Sequence, residues 1–432
     1  MRASASAAGA GNAVQMQEER KPKRATSAHV VEKRALKLNE IVVVATRFFN
    51  RRGFLATTME EIATALSMHP ATLYHYVGSK EELAYRAYLK GCEMRRSQLE
   101  LANDREESGL GRIRRFMRSL LDEHFSRPAI LSEVGALSDG WADHVRRVQR
   151  RNIQMVQQMV ADGIRDGSIG RTDPFLAGIG VLGVAEWMSF WYTERLPYSR
   201  RDIAAALEDV VANGMLAKKP RSLDVPPITP AYPRINAPNP FDRGAITELK
   251  LEQFLRVAME SFNRVGVHAT SIDQCARQLN VTKGAFYYYF HNKEELLYLC
   301  YKRALRFNWR AAGHITATDP AEVEILWRRS LFERHTSEHG PFPTYHHVTF
   351  LEPTHREEIM ADLLAQQRSD TNIVQRAIAD GIYRKVEPFL AEKVRAGLTN
   401  WFPTWYSPSG RATPSDVADN HSNIFLFGLS AR

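Results

Sequence analysis

The sequence predicts an all-α protein in which one helical unit occurs twice. Apolar residues recur every three to four positions along the chain of 432 residues, and no segment alternates with the period of two that strands show. Two stretches, "TLYHYVGSKEELAYRAY" at 72–88 and "AFYYYFHNKEELLYLCY" at 285–301, match position by position without a gap. We therefore expect two copies of one all-α fold.

The repeat covers whole domains. "FFNRRGFLATTMEEIATAL" at 48–66 aligns with "SFNRVGVHATSIDQCARQL" at 261–279 in the same register, and "ADGIRDGSIGRTDPFLAG" at 161–178 resembles "ADGIYRKVEPFLAE" at 379–392. Between the copies, the segment 218–244 contains seven prolines, which is typical of a semi-rigid linker. We expect a disordered basic arm, two units that each consist of a "head" and a "body", and the linker between them: 1–34 (arm), 35–90 (first head), 91–217 (first body), 218–244 (linker), 245–303 (second head) and 304–432 (second body).

Positive charge is concentrated near the start of the chain. Residues 1–52 carry eleven Lys/Arg and four Asp/Glu, so they account for +7 of the net charge of +9. This favours a polyanionic partner, with nucleic acid ahead of a membrane surface, although a solvated tail at 1–34 has the same composition. Cys92, Cys275 and Cys300 lack zinc spacing, and "MRASASAAGAGNAVQ" lacks the apolar stretch of an export signal, so we expect a cytoplasmic protein without disulfides.

Capping boxes mark short helices in each head. Thr58-x-x-Glu61 and Ser271-x-x-Gln274 each open one helix, and a second short helix follows a tight turn, at 70–77 in the first head. Further boxes at Ser79 and Asn292 open the next helix. This spacing predicts a helix-turn-helix, whose second helix enters the DNA major groove.

Several side chains near this motif are candidates for phosphate contacts. Lys80 and Lys293 directly follow an N-cap, where the helix dipole disfavours a cation unless an anion binds there. Thr57 and Thr270 precede capped helices. Four tyrosines are spaced so that they cannot all face the core, and the alternative to phosphate contact is that one of each pair packs inside: Tyr74, Tyr76, Tyr287 and Tyr289.

Both copies resemble the TetR/AcrR family of bacterial transcriptional repressors. The resemblance is carried by "GFLATTMEEIATALSMHPATLYHYVGSKEEL" and "GVHATSIDQCARQLNVTKGAFYYYFHNKEEL". It implies that each unit has a three-helix DNA-binding head, body helices that enclose an effector pocket, and two last helices that form a four-helix dimer interface. The turn glycine of the family is Ser67 here and Asn280 in the second copy, and Asn tolerates a positive φ better than Ser.

Carried over by position, the resemblance places two unlike sets of side chains at double-stranded operator DNA. The candidates in the first head are Thr57, Thr58, His69, Pro70, Ala71, Thr72, Tyr74, His75, Tyr76 and Lys80. Those in the second head are Thr270, Ser271, Thr282, Lys283, Gly284, Ala285, Tyr287, Tyr288, Tyr289 and Lys293. The base edges would be faced by Pro70, Ala71, Thr72 and His75 in one half-site, and by Lys283, Gly284, Ala285 and Tyr288 in the other.

The resemblance also implies a small apolar or amphipathic effector. Aromatic residues crowd the predicted body helices, and pockets between bundle helices are lined in this way, although core packing explains most of them. The candidates for the pocket are Phe116, Phe125, Trp141, Trp187, Trp191, Trp327, Phe332, His346 and Trp401.

Three other features have a structural interpretation that we prefer. Residues 174–192 are apolar enough to span a membrane, but a buried packing helix is favoured because the stretch occurs once and contains Glu186. "GIGVLG" at 178–183 lies inside that helix rather than after a strand, so its small residues favour close helix packing over dinucleotide binding. The cluster His335, His339, His346 and His347 is interrupted by Gly340-Pro341, which favours surface or pocket histidines over a metal site.

We therefore predict a transcriptional regulator with no cofactor, metal or catalytic site. The first hypothesis is a repressor that acts as a single-chain pseudo-dimer on an asymmetric operator; further homo-oligomerisation stays open. The second is that only one head binds DNA and the chain homodimerises. The third is an all-α small-molecule-binding protein that does not bind DNA.

Overall fold

A computed structural model of the chain describes residues 23–122, 128–220, 223, 225, 242–312 and 315–431. These residues form α-helices, short 3₁₀ segments and two isolated β-bridges, with no β-strand among them. The prediction of an all-α fold is confirmed.

The first unit contains eight α-helices among its described residues. They are α1 (Lys23–Arg52), α2 (Met59–Ala65), α3 (Pro70–Tyr74), α4 (Lys80–Ala102), α5 (Gly109–Arg118), α6 (Asp139–Arg165), α7 (Pro174–Trp191) and α8 (Arg200–Asn213). Two 3₁₀ segments lie at Ser119–Leu121 and Leu131–Ala136. Helices α1 to α3 and the start of α4 form the head.

The second unit repeats this order. Its helices are α9 (Arg243–Val265), α10 (Ile272–Gln278), α11 (Lys283–Tyr289), α12 (Lys293–Ala312), α13 (Pro320–Thr336), α14 (Pro353–Ala379), α15 (Pro388–Asn400), α16 (Phe402–Trp405) and α17 (Pro414–Phe427). A 3₁₀ segment at Tyr345–Phe350 corresponds to Leu131–Ala136. The extra helix arises because the counterpart of α7 breaks at Trp401, two residues before Pro403.

Two predicted boundaries differ from the structure. Helix α1 begins at Lys23, so residues 23–34 of the expected disordered arm are helical, while residues 1–22 lie outside the described part of the chain. The expected head–body boundary at 90–91 falls inside α4. Leu83 packs in the core of the head and Leu99 in the core of the body, so one continuous helix joins the two domains.

The expected proline-rich linker lies mostly outside the described residues. Its described part runs along the second unit: Lys219 Nζ donates to the carbonyl of Phe427 at 2.8 Å, and the carbonyl of Val225 accepts from Arg329 at 3.1 Å.

The two bodies are joined around a pseudo-two-fold axis. The segments that follow α8 and α17 exchange backbone hydrogen bonds in symmetric pairs, at equivalent positions of the two units. In the first pair, Met215 N–H donates to Phe425 O (2.8 Å), and its equivalent Leu429 N–H donates to Val211 O (3.0 Å). In the second pair, Arg384 N–H donates to Met215 O (2.7 Å), and its equivalent Gly170 N–H donates to Leu429 O (2.9 Å). The same surface of each unit therefore contacts its counterpart, which is the geometry of an isologous dimer.

Helix α7 packs against α15 at the centre of this interface. A Cβ atom added at Gly397 would lie 2.6 Å from Val184 Cα, and one added at Gly183 would lie 2.8 Å from the Gly397 carbonyl oxygen. The small residues of "GIGVLG" thus permit the predicted close approach. Among the described helices, α7 is the one that is long and apolar enough to cross a membrane. Of its 18 residues, 72% are buried inside the protein.

The close packing of α7 against α15 predicts that a single added methyl group destabilises the protein. Gly397→Ala would overpack α7 against α15, and we expect the chain to lose roughly 1–3 kcal/mol of unfolding free energy. Gly140→Ala is the matched control, because a Cβ atom there meets nothing within 4 Å. Urea unfolding should show a lower midpoint for Gly397→Ala alone, and an unchanged midpoint would contradict the close packing.

Candidate nucleic-acid interface and body cavities

The turn of each helix-turn-helix contains a residue with positive φ. Ser67 has a φ of 53° and Asn280 a φ of 54°, and among the described non-glycine residues these two have positive φ. They occupy the positions where the sequence departs from the expected glycine. Although serine tolerates a positive φ less well than asparagine, the two turns have almost the same φ at this position.

The predicted capping box is complete at α2, and at α10 its N-cap side chain makes the expected bond. Thr58 and Glu61 make a full capping box, and Ser271 Oγ accepts from Gln274 N–H at 3.3 Å. His69 Nδ1 and Thr282 Oγ1 cap α3 and α11, each accepting a backbone N–H at 3.2 Å. These four side chains organise the helix starts of the two reading motifs.

Helices α3 and α11 expose most of the side chains predicted to face DNA. The exposed candidates in the first head are His69, Ala71, Thr72, Tyr74 and His75, and those in the second head are Thr282, Lys283, Gly284, Tyr287 and Tyr288. Pro70 and Ala285 are half-buried. Tyr288 is 83% exposed, so its ring and hydroxyl group are accessible to a partner at this surface.

Each tyrosine pair divides between surface and core. Tyr74 and Tyr287 are exposed, whereas Tyr76 and Tyr289 are half-buried and pack against the cores of their heads. The alternative that one tyrosine of each pair packs inside therefore describes the structure better than two phosphate contacts per head.

Lys80 and Lys293 have a structural role that the sequence argument missed. Lys80 Nζ donates to the carbonyls of Leu55 and Thr57, both at 2.9 Å, and Lys293 Nζ donates to those of His268 (2.8 Å) and Thr270 (3.1 Å). Burial lowers the pKa of both ammonium groups. These bonds offset the unfavourable position after an N-cap, so the lysines fasten the loop before α2 and α10.

Thr57 and Thr270 were wrong as phosphate ligands. Both are buried, and their hydroxyl groups donate to the carbonyls of Gly53 (2.8 Å) and Gly266 (2.9 Å). A threonine in this register closes the loop internally, because its hydroxyl reaches the carbonyl four residues earlier.

Arg34 was not predicted at the interface, yet it supports the first recognition helix. Its guanidinium donates to the carbonyl of His75 at 2.8 Å and lies over the ring of Tyr76, 5.7 Å from the centroid. The only sequence signal for this role was the cluster of basic residues at 1–52.

The 3₁₀ segments Leu131–Ala136 and Tyr345–Phe350 each contact the head of the other unit. In the first unit, Glu133 is buried between Phe54, whose N–H donates to it, and Gly266 of the second head. In the second unit, Phe350 packs on Gly53 of the first head. Burial raises the pKa of Glu133 to about 7, against the opposing effects of backbone hydrogen bonds and the Lys80 charge. This crossed contact ties the position of each head to the opposite body.

Two cavities lie in the bodies, where each unit's helices meet the other unit. The first-body cavity, of about 440 Å³, is formed by α4, α6 and α7 and is closed by Trp401 and His346 of the second unit. The second-body cavity, of about 430 Å³, is formed by α12 to α15 and is closed by Trp187 and Trp191 of the first unit.

Six of the nine predicted pocket residues line a cavity. Trp187 lines both, Trp191, Trp327 and Phe332 line the second-body cavity, and His346 and Trp401 line the first-body cavity. Phe116 and Trp141 were wrong: Phe116 is fully buried in the first body, and Trp141 stacks on Tyr85 at 5.2 Å. Phe125 lies outside the described residues.

The four histidines of the suspected cluster are mostly buried and do not converge. Burial lowers the pKa of His335 and His346 to about 4 and that of His347 to about 3. Among the residues that the structure describes, no group of three His, Cys, Asp or Glu side chains could hold a metal ion. The three cysteines are buried free thiols.

Comparison with known proteins identifies both halves of each unit. The profile described as "Bacterial regulatory proteins, tetR family" matches residues 41–87 and 254–298, and "Tetracyclin repressor-like, C-terminal domain" matches 107–215 and 328–429. The HTH-type transcriptional regulator YhgD of Bacillus subtilis (strain 168) is 22% identical over 184 residues, which are 41% of this chain and 95% of YhgD.

Solved structures of similar proteins cover about two fifths of this chain. PfmR, a TetR family transcriptional regulator from Thermus thermophilus, is 26% identical, with a TM-score of 0.36 over 41% of this chain and 98% of PfmR. AibR, solved with isovaleryl coenzyme A and operator DNA, is 23% identical, with a TM-score of 0.36 over 40% of this chain and 96% of AibR.

The positive φ at Ser67 predicts a stabilising substitution. A Cβ atom in the left-handed region costs roughly 1–2 kcal/mol, so Ser67→Gly should gain about 0.5–1 kcal/mol of unfolding free energy after glycine's greater freedom in the unfolded chain is subtracted. Ser67→Ala retains the Cβ atom and serves as the control. Thermal unfolding should rank Ser67→Gly above both other chains; equal stability of all three would contradict a strained turn.

Glu133 predicts a difference in pH dependence. Its pKa of about 7 in the folded protein lies above the value of 4.5 for an exposed glutamate. Between these pH values the folded chain therefore binds more protons than the unfolded chain. Glu133 thus makes the unfolding free energy fall as the pH rises from about 4.5 to 7. Glu133→Gln removes this contribution, at most ~1.4 kcal/mol per pH unit.

Urea unfolding of the parent and the Glu133→Gln variant between pH 5 and 8 measures this pH dependence of stability. Histidine titration contributes equally to both proteins, so it cancels in the difference between their unfolding free energies. The stability of Glu133→Gln relative to the parent should rise up to pH 7 and then level off. A difference that is constant with pH would show that Glu133 titrates normally.

Proposed function

Because the chain belongs to the TetR family of bacterial regulatory proteins and is a DNA-binding transcriptional regulator, we propose that it is a repressor in which one polypeptide supplies both halves of the DNA-binding dimer. Helix-turn-helix regulators that are dimers of identical chains bind two half-sites with two identical heads, and the palindromic symmetry of their operators reflects that arrangement. Here, the two heads are unlike, and the operator would be asymmetric.

The observation that carries this proposal is the contrast between the interface and the heads. The bodies meet through symmetric backbone hydrogen bonds and the glycines of α7 and α15. The recognition helices, in contrast, expose Thr72 and His75 at positions where the second head has Ala285 and Tyr288. Selection on identical half-sites would not produce this difference in the surface that reads bases.

A single chain also has a kinetic and energetic advantage. When one head is bound, the other is held near its half-site, so the second contact is intramolecular and raises the affinity of the whole without new contacts. The described bundle of α7, α8, α15 and α17 already fills the dimer surface within one chain, which supports this proposal over homodimerisation through the same helices.

Release from DNA would follow from an effector in the bodies. The two cavities are closed by residues of the opposite unit, and the 3₁₀ segments pass from the bodies to the opposite heads. A small apolar or amphipathic molecule that favours a different arrangement of the bodies would shift the population towards heads at the wrong separation. We place this regulator in the cytoplasm, with no catalytic step and no membrane partner.

Selection of bound DNA from random duplexes tests the proposal, because it reports the number, spacing and symmetry of half-sites together. We expect two half-sites of different sequence. Exchange of residues 70–76 and 283–289 between the heads should reverse the order of the half-sites within the selected DNA, and the unexchanged chain is the control.

Three outcomes contradict the proposal in different ways. A perfect palindrome would overturn the asymmetry of the operator. A lone half-site would show that only one head binds DNA. Absence of any sequence preference, together with binding that does not weaken as salt is raised, would favour a binding protein without DNA function.

A further inference from the structure

The two body cavities are symmetry-related copies of one pocket. Gly91 and Cys92 line the first-body cavity where their counterparts in the repeat, Ala304 and Leu305, line the second. The wall from the opposite unit is repeated as well, since Trp401 and Trp405 close the first-body cavity as their counterparts Trp187 and Trp191 close the second. A difference between these cavities is therefore a change at equivalent positions.

The central helix of each cavity has opposite chemistry in the two units. Helices α6 and α14 both have 27 residues and align without a gap from Asp139 and Pro353 to their C-caps, Asp166 and Asp380, so the sequence match of 161–165 with 379–383 is displaced by four residues. Arg146 and Arg150 of α6 line the first-body cavity, whereas the equivalent residues of α14 that line the second-body cavity are Met360 and Leu364. Two cations thus stand where the other unit has two apolar side chains.

The first-body cavity has excess positive charge. Among the described residues that line it, four are arginines, Arg95, Arg146, Arg150 and Arg264, and one is a carboxylate, Glu186. Glu186 is paired with Arg95 at 3.1 Å, and Arg146 contacts Asp143 at 3.3 Å on its own helix. Among the described residues, no carboxylate lies within 4.0 Å of Arg150 or Arg264, one from each unit.

Buried polar groups in this cavity also face inward without protein partners. His346 is 3% exposed, and neither of its ring nitrogens has a hydrogen-bond partner in the described chain. Asn152 donates to the Cys92 carbonyl at 2.9 Å, but its Oδ1 has no partner among the described residues. Such groups are costly to bury unless a ligand or water satisfies them.

The second-body cavity contains charged residues that neutralise one another. Lys393 Nζ lies 3.0 Å from the Glu392 carboxylate, and Arg395 is paired with Glu324 at 2.6 Å and Asp370 at 3.5 Å. Arg395 also lies over the ring of Trp327, 4.1 Å from its centroid. With these pairs formed, the remaining wall is largely aromatic and aliphatic, so this cavity offers no net charge to a ligand.

We propose that the two cavities are distinct ligand sites, the first-body cavity for an anion that carries a carboxylate or phosphate group on an apolar body, and the second-body cavity for an uncharged apolar molecule. This rests on the proposed function only in treating these ligands as effectors. Trp187, Phe190, Thr344, Tyr345 and Asn400 line both cavities. Because the two sites share this wall, we infer that occupation of one changes the affinity of the other.

Calorimetric titration of the full chain without DNA tests the assignment, with decanoate and decyl phosphate as anionic probes and decanol as the uncharged probe. We expect one anion site and one decanol site per chain, and decanoate should still bind when decanol is saturating. The comparison of decanoate with decyl phosphate distinguishes a carboxylate ligand from a phosphate ligand.

Paired variants assign the sites to the cavities. The double variant Arg146→Gln with Arg150→Gln should weaken anion binding at least tenfold and leave decanol affinity unchanged. The control is Arg147→Gln with Arg151→Gln, two arginines of the same helix that are exposed like Arg146 and Arg150 but do not line the cavity. Leu364→Arg should weaken decanol binding and leave decanoate binding at its parental level.

The outcomes that overturn the proposal are specific. They are competition of decanol and decanoate for one site, an equal effect of the arginine variants on both probes, or no binding of any probe at 1 mM or below, on the order of the weakest affinity that a regulator would use. Operator binding by the same variants without ligand is measured separately, so loss of the DNA function and failure of the ligand assignment give different results.

Discussion

The close packing of α7 against α15 is the contact on which the remaining structure depends. Gly183 and Gly397 let the two backbones approach until a single added Cβ atom would clash, and the exchanged backbone hydrogen bonds of the segments after α8 and α17 fix the rotation between the bodies. The exchanged hydrogen bonds join backbone groups, which every residue type supplies, so this part of the interface keeps its symmetry when side chains differ. The units can therefore diverge elsewhere while remaining a pair.

Divergence is found at the surfaces that would meet ligands. The recognition helices both keep a side-chain N-cap, a positive φ in the preceding turn and a fastening lysine, yet they expose different side chains. The cavities keep their aromatic closing wall while Arg146 and Arg150 are exchanged for Met360 and Leu364. In a dimer of identical chains, each such change would occur twice, whereas a fused chain can change one copy alone. The crossed contacts of Glu133 and Phe350 then connect each body with the opposite head.

Much of the fold could be predicted from the sequence because it depends on local signals and on repetition. The capping boxes located α2 and α10, the spacing to the next cap identified the helix-turn-helix, and the glycines of α7 indicated close packing. The structural roles of Lys80 and Thr57 could not be predicted because their partners are backbone carbonyls of a loop, which leave no trace in residue type. Phe116 and Trp187 are both aromatic residues of body helices, and only the three-dimensional packing shows that one fills the core while the other lines a cavity. Lys393 and Arg395 were missed since charged residues inside an apolar helix indicate no partner by themselves.

The central claim is that one chain supplies both DNA-reading heads, and the mass of the protein–DNA complex tests it most directly. Sedimentation equilibrium of the 49.1 kDa chain with a duplex that it binds would give the number of chains per duplex. We expect one chain per duplex, with both half-sites protected. Two chains on one duplex, each protecting a single half-site, would contradict it.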